Sequence, residues 1–129
     1  MFDKNILNNE KSKKIEQIKN YDKSSSVNSF YINGKHAWLD KATRVGLVNS
    51  LTMEKSAGRI ETELWLNGDM YKLKIDDVLQ MLVVLELYAK ECYNITEQHI
   101  ANVNTLNDPN RVYNYNYTKG YPEKITFNV

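Results

Sequence analysis

Apolar and polar residues alternate with period two in two short stretches, and each stretch folds back on itself around an Asn-Gly pair. The first reads Ser29-Phe30-Tyr31-Ile32, Asn33-Gly34, Lys35-His36-Ala37-Trp38-Leu39. The second reads Glu63-Leu64-Trp65-Leu66, Asn67-Gly68, Asp69-Met70-Tyr71-Lys72-Leu73-Lys74-Ile75. A two-residue type I′ turn needs positive φ at both central positions, and Asn-Gly meets that need at little cost. Closing the first hairpin there sets Phe30 opposite Ala37 and Ile32 opposite Lys35 on one face, with Tyr31, His36 and Trp38 on the other. The second hairpin carries Leu64, Leu66, Tyr71 and Leu73 on one face and Trp65, Met70 and Lys72 on the other.

An aspartate follows each hairpin. Asp40 is placed to cap a helix over about 41–56, because its carboxylate can accept from the orphan amides of a first turn. Within that helix Ala42, Val45, Val48 and Leu51 recur every third residue, so the apolar stripe drifts and is broadened by Leu47 and Met53. Ala57-Gly58 supplies a C-terminal stop. Asp76 is expected to cap the next helix. Residues 78–89 are apolar almost all round, which predicts either a central buried helix or one whose second face is covered in an oligomer. That helix continues, or restarts at Thr96, to about Leu106. Asp108 and Pro109 then open a short helix, with proline at its first position. Ile125 and Phe127 alternate in a final strand. Ahead of the first hairpin, Ile6, Leu7, Ile15 and Ile18 form a narrow stripe on a helix near residues 8–20, and Lys23-Ser24-Ser25-Ser26 reads as a loop. The expectation is an α+β chain of order ββαββα. A polar, helical N-terminal arm (1–23) precedes a single domain (24–129) that ends in a short helix and strand.

Bulk properties narrow the function more than they identify it. The chain has 129 residues, 42% of them apolar and 26% charged, with a formal net charge of +1. A chain of that size buries enough surface to fold without disulfide or metal staples. Near-zero net charge gives no general attraction to nucleic acid or anionic lipid. Lys4, Lys11, Lys13, Lys14, Lys19 and Lys23 are interleaved with Asp3, Glu10, Glu16 and Asp22, so a solvated helix surface is expected, and nucleic acid is not expected as a partner. The start, Met1-Phe2-Asp3-Lys4-Asn5-Ile6-Leu7, lacks the apolar core of a signal peptide. The apolar run from Val78 to Ala89 is too short to span a bilayer, so no membrane association is expected.

No motif of established chemistry is present. Cys92 is the only cysteine, with no base beside it, and reads as a small core residue. His36 and His99 have no metal-ligand spacing with it or with carboxylates. Asp40, Asp76 and Asp77 suggest an acid/base set, yet helix capping explains the first two without further assumption. There is no phosphate-binding glycine loop. No catalytic residue, metal or cofactor is expected, and the chain is read as non-enzymatic. The residues suited to a partner are Trp38, Trp65 and Met70, on the hairpin faces opposite the aliphatic ones, and Tyr113, Tyr115, Tyr117 and Tyr121 in the tail. The bland alternative for the tyrosines is that they pack the tail back onto the domain.

Three blocks add a resemblance: Trp38-Leu39-Asp40-Lys41-Ala42-Thr43-Arg44; Leu87-Tyr88-Ala89 with Cys92-Tyr93-Asn94; and Gly120-Tyr121-Pro122-Glu123-Lys124. With them, the stretch from about Tyr21 to Phe127 resembles an uncharacterised domain family of bacteriophages and prophages of gut Bacteroides-type bacteria. The resemblance implies a tail-associated structural or adaptor protein that binds phage tail or fibre subunits, as a homo-oligomer. It would reside in the virion, or in the host cytoplasm during assembly. A fibre-assembly chaperone absent from the mature particle is the alternative within that context. A small nucleic-acid-binding regulator is the alternative outside it.

Overall fold

A computed structural model describes residues 3–129. Met1 and Phe2, the first two residues of the segment read for an export signal, lie outside that range. The elements run α1 (Lys4–Asp22), β1 (Ser29–Ile32), β2 (Lys35–Trp38), α2 (Lys41–Ser56), β3 (Glu61–Leu66), β4 (Asp69–Lys74), α3 (Ile75–Thr105), α4 (Pro109–Tyr113) and β5 (Thr126–Phe127). The chain is therefore an α+β protein of alternating hairpins and helices. It divides into two compact units. One is a hairpin unit of Asn28–Ala89 with Lys124–Val129; the other is a helical unit of the described residues up to Val27 with Lys90–Glu123. The helix α3 is continuous and contributes to both.

In the hairpin unit, β1 and β2 pair antiparallel with Phe30 opposite Ala37 and Ile32 opposite Lys35, and β5 adds parallel to β1 with Tyr31 opposite Thr126. The second hairpin pairs Leu64 with Tyr71 and Trp65 with Met70. Both turns carry positive φ on two successive residues, 49° and 80° at Asn33 and Gly34 and 50° and 83° at Asn67 and Gly68. The two turns are tied together, since Asn67 Nδ2 donates to the His36 carbonyl at 2.6 Å and Lys35 Nζ meets Asp69 at 3.0 Å. The inner faces of both hairpins, Leu51 of α2 and Ile75, Val78, Met81, Leu82 and Leu85 of α3 form one apolar core.

Asp40 caps α2, accepting from the Thr43 amide at 2.7 Å. The helix stops at Ala57 with Gly58 at φ 88°. Asp76 departs from expectation. The helix α3 begins one residue earlier, at Ile75, directly out of β4. Asp76 thus lies inside the first turn, beside Asp77, where its negative charge suits the helix N-terminus without capping it. The amide of Ile75 donates to the Ile60 carbonyl at 2.8 Å, which carries the hairpin pairing up to the residue that opens the helix. The break considered before Thr96 does not occur: α3 runs unbroken to Thr105.

The helical unit packs α1 against α4 and the distal half of α3 around Ile18, Val103 and Val112. Of the residues read as an N-terminal arm, those described, 3–23, lie within this unit. Its helix is longer than expected at both ends, starting from an Asp3 cap that accepts from Asn5 at 2.7 Å. Leu7 and Ile15 join Ile18 at the core, while Ile6 is exposed. The lysines of α1 are not uniformly solvated. Lys14 is buried and donates to the Tyr113 carbonyl at 2.8 Å, and Lys11 donates to the Asn104 carbonyl at 2.9 Å. Both ammonium groups thus sit on the C-terminal carbonyls of other helices, where cations are favoured.

Candidate interaction surfaces

On the outer face of the second hairpin, residues alternate out of the core in the order Glu61, Glu63, Trp65 on β3 and Met70, Lys72, Lys74 on β4. The register sets Glu61 opposite Lys74, Glu63 opposite Lys72 and Trp65 opposite Met70. Two oppositely charged pairs therefore lead into one large apolar pair. Trp65 keeps 63% of its surface and Met70 44%. A shallow polar hollow bounded by Trp65, Glu54, Arg59 and Lys72 adjoins the pair. Charged cross-strand pairs keep this edge soluble, whereas Trp65 and Met70 have no such role. Trp38 is also exposed, opposite Ser29 at the end of the first hairpin.

The tail tyrosines divide. Tyr113 is 69% exposed. The other three are partly buried within the helical unit. Tyr115 sits in a hydrogen-bonded chain centred on His99, a buried residue of α3. One ring nitrogen of His99, Nε2, lies 2.7 Å from the Lys119 carbonyl, and the other, Nδ1, lies 2.7 Å from the Tyr115 hydroxyl. A carbonyl only accepts, so Nε2 carries a proton, and in the neutral ring the Tyr115 hydroxyl donates to Nδ1. Asn102 Nδ2 then donates to the Tyr115 oxygen at 3.1 Å. Tyr117 and Tyr121 meet Tyr21 edge-on, at 5.4 and 5.7 Å between ring centres. The Tyr121 hydroxyl shares a hydrogen bond with Thr96 at 2.7 Å. Burial raises the Tyr121 phenol above its ordinary value, and the Thr96 bond opposes part of that rise. These contacts hold residues 114–121 onto α1 and α3, and of the four rings only Tyr113 faces water to a large extent.

A third surface was not singled out from the sequence. Helices α2 and α3 of the hairpin unit flank an apolar groove of about 340 Å³ lined by Val45, Val48, Leu79, Leu82 and Val83. Beside it Leu87 projects with 64% of its surface exposed, and Val83 keeps 50%. Arg44 closes one end: its side chain donates to the Leu39 carbonyl at 2.6 Å and to Glu86 at 3.3 Å. The signal in the sequence is the apolar surround of residues 78–89, more than one core can cover.

Chemistry is sparse by comparison. Cys92 is fully buried in α3. Among the described residues no group of histidine, cysteine or carboxylate side chains is arranged to hold a metal ion. His36 is exposed on β2 and meets the Tyr31 ring edge-on at 5.7 Å. The Asp40 carboxyl is held below the usual carboxylate range by the Thr43 amide that it caps. Among the described residues no helix is long and apolar enough to cross a membrane. No protein-family model, no curated protein and no solved structure matches this chain.

Proposed function

We propose that this chain is a non-enzymatic interaction protein, and that the outer face of its second hairpin docks another protein through Trp65 and Met70. The observation that carries this reading is the exposed Trp65–Met70 pair, set directly opposite each other at the end of a charged cross-strand ladder. Tryptophan is over-represented among residues that dominate binding energy, and an apolar centre beside a charged rim is the usual anatomy of a specific interface. The resemblance of the three sequence blocks supplies the context: a tail-associated structural or adaptor subunit of a phage or prophage, in contact with tail or fibre proteins. The alternative within that context, a fibre-assembly chaperone, would use the same patch transiently.

Quantitative mass spectrometry of purified particles tests the reading. The expected result is recovery of the chain at a fixed ratio to tail proteins, and its loss from particles carrying Trp65→Ser with Met70→Ser. Both side chains point away from the core, so the variant should stay folded and lose only the Trp65–Met70 cross-strand contact. Presence in the lysate but absence from wild-type particles would replace the structural reading with the chaperone one. Undiminished incorporation of the variant would remove the hairpin face as the docking surface.

A further inference from the structure

We propose that the free edge of β3 takes up an extended segment of the partner protein as a third strand, and that this segment sets a basic side chain beside Glu63 and an apolar one beside Trp65. The proposal rests on the reading that the outer face of this hairpin docks a protein, and it adds the chemistry of what docks.

The phase of the hairpin's hydrogen bonds decides which backbone groups are left over. Opposed residues of an antiparallel pair alternate between those that exchange hydrogen bonds and those that do not. The Ile75 amide donates to the Ile60 carbonyl at 2.8 Å, so the exchanging pairs include Thr62 with Leu73 and Leu64 with Tyr71. Glu61, Glu63 and Trp65 therefore aim their amides and carbonyls away from β4. The sheet has only β3 and β4, and among the described residues nothing bonds those outward groups. The polar hollow beside Trp65, about 420 Å³, is lined by three successive residues, Glu61, Thr62 and Glu63, together with Glu54 and Arg59. Successive residues of a strand point to opposite faces, so what these three share is the strand's edge. The hollow thus opens on unpaired backbone. The edge of β4, by contrast, begins beside the first hairpin, where Asp69 meets Lys35 at 3.0 Å.

Charge says what fits there. Both cations of the hollow are already engaged. Arg59 meets Glu54 at 3.2 Å, and Lys72, although opposite Glu63 in register, sends its ammonium to Glu61 at 3.5 Å. Glu63 is left with no paired cation among the described residues, two positions from the exposed Trp65 on the same face. A second copy of this strand fits poorly. Centred on Glu63, two antiparallel copies of β3 oppose that carboxylate to itself; centred on Thr62, they oppose Glu61 to Glu63. A foreign strand with lysine or arginine at that position meets the spare carboxylate instead. In strand addition the main-chain bonds supply affinity and the alternate side chains supply selectivity.

Amide NMR of the full chain tests this, by titration with a capped peptide of order leucine, threonine, lysine, threonine, lysine, threonine. Antiparallel to β3, the peptide sets its leucine opposite Trp65 and its lysines opposite Glu63 and Glu61. The amides of Glu61, Glu63 and Trp65 should shift and exchange more slowly with solvent. A peptide with glutamate in place of both lysines should bind roughly tenfold more weakly or worse, because it sets like charges together. Glu63→Gln should weaken binding of the lysine peptide, and Glu63→Lys should reverse the preference between the two peptides, with unchanged spectra elsewhere certifying the fold. N-methylation of the first lysine removes the N–H that would donate to the Glu63 carbonyl and should abolish binding. Amides of β3 that the lysine peptide leaves unmoved would overturn the proposal. So would equal binding of the glutamate or the N-methylated peptide, or β3 shifts that follow protein concentration alone, which would make the occupant a second copy. Unmoved β3 amides, with particles that still lose the Trp65→Ser, Met70→Ser variant, would sink this inference and leave the docking reading standing. A peptide that pairs with β3 while that variant is incorporated undiminished would do the reverse.

Discussion

At the scale of single residues, the informative groups are polar side chains whose position gives them one partner of one kind. His99 is the clearest. Its Nε2–H is committed to a carbonyl and its Nδ1 to the Tyr115 hydroxyl, which in turn accepts from Asn102. Tyr115→Phe keeps the ring and its packing but removes that hydroxyl, leaving the buried Nδ1 without its donor. The expected loss is about 1–3 kcal/mol of unfolding free energy, the cost of an unsatisfied buried polar group. Chemical denaturation measures it, and an unchanged midpoint would show that the tail is held by the rings alone. None of this is legible in the sequence. Tyr113, Tyr115, Tyr117 and Tyr121 look alike there, and only the path of the chain after α4 decides that three turn inward while one remains in water. Lys14 gives the same lesson in reverse. Among interleaved charges it looks like any solvated lysine, yet it reaches the carbonyl end of a helix about a hundred positions away in the chain.

At the scale of elements, local chemistry set the boundaries wherever the stabilising partner was close in sequence. Asp40 with α2, Gly58 after it, and Asp108-Pro109 at α4 are such cases, and all could be read directly from the chain. Where the partner is remote, the reading shifted. Asp76 resembles Asp40, but the Ile75 amide pairs with the remote Ile60 carbonyl, and α3 opens at Ile75 with Asp76 already inside its first turn. The Asp40 cap has a pH signature. Its carboxyl titrates below the ordinary range because the Thr43 amide donates to the ionised form. A group whose folded value lies below its unfolded value contributes stability that is present above the unfolded value, about 3.9, and is lost as pH falls through the folded one. Asp40→Asn keeps an acceptor without the titration. The melting temperature of the wild type relative to this variant should therefore be level from neutral pH to about 5, then fall on further acidification. Asp40→Ala should melt below both at neutral pH. A difference that stays constant into acid would show that the charge of Asp40 adds nothing to the cap.

At the scale of the whole molecule, order and class of elements were legible because two signals agreed: period two through the hairpins and a broad apolar helix after each. What the pattern did not carry is how many surfaces α3 must satisfy. Ile75, Val78, Leu82 and Leu85 face one core, and Cys92 and Val103 are buried further along, while Val83 and Leu87 are left in water. A helix apolar all round looks the same in sequence whether its outer face meets more of its own chain or something else. The candidate surfaces were legible to different degrees for the same reason. Trp65 and Met70 follow from strand alternation alone, whereas the α2/α3 groove needs the packing of two helices to exist.

The two Asn-Gly turns are alike in backbone and differ in how they would age. Hydrolysis of an asparagine amide replaces an N–H donor with a carboxylate oxygen and releases ammonia, and asparagine counts among the thermally fragile residues. Asn33 uses its oxygen, accepting from the Val129 amide at 2.8 Å, so a carboxylate there could keep the bond. Asn67 uses its nitrogen, donating to the His36 carbonyl, and a carboxylate would face that carbonyl with no proton to give. Asn67→Asp should therefore cost about 0.5–1.5 kcal/mol more in a denaturation experiment than Asn33→Asp, the worth of one intramolecular hydrogen bond. Equal costs would mean that the tie between the two hairpin tips is not what Asn67 contributes. On this reading the protein carries an uneven chemical clock, in which damage at the second turn loosens the hairpins from each other while the same damage at the first leaves the C-terminal strand in place.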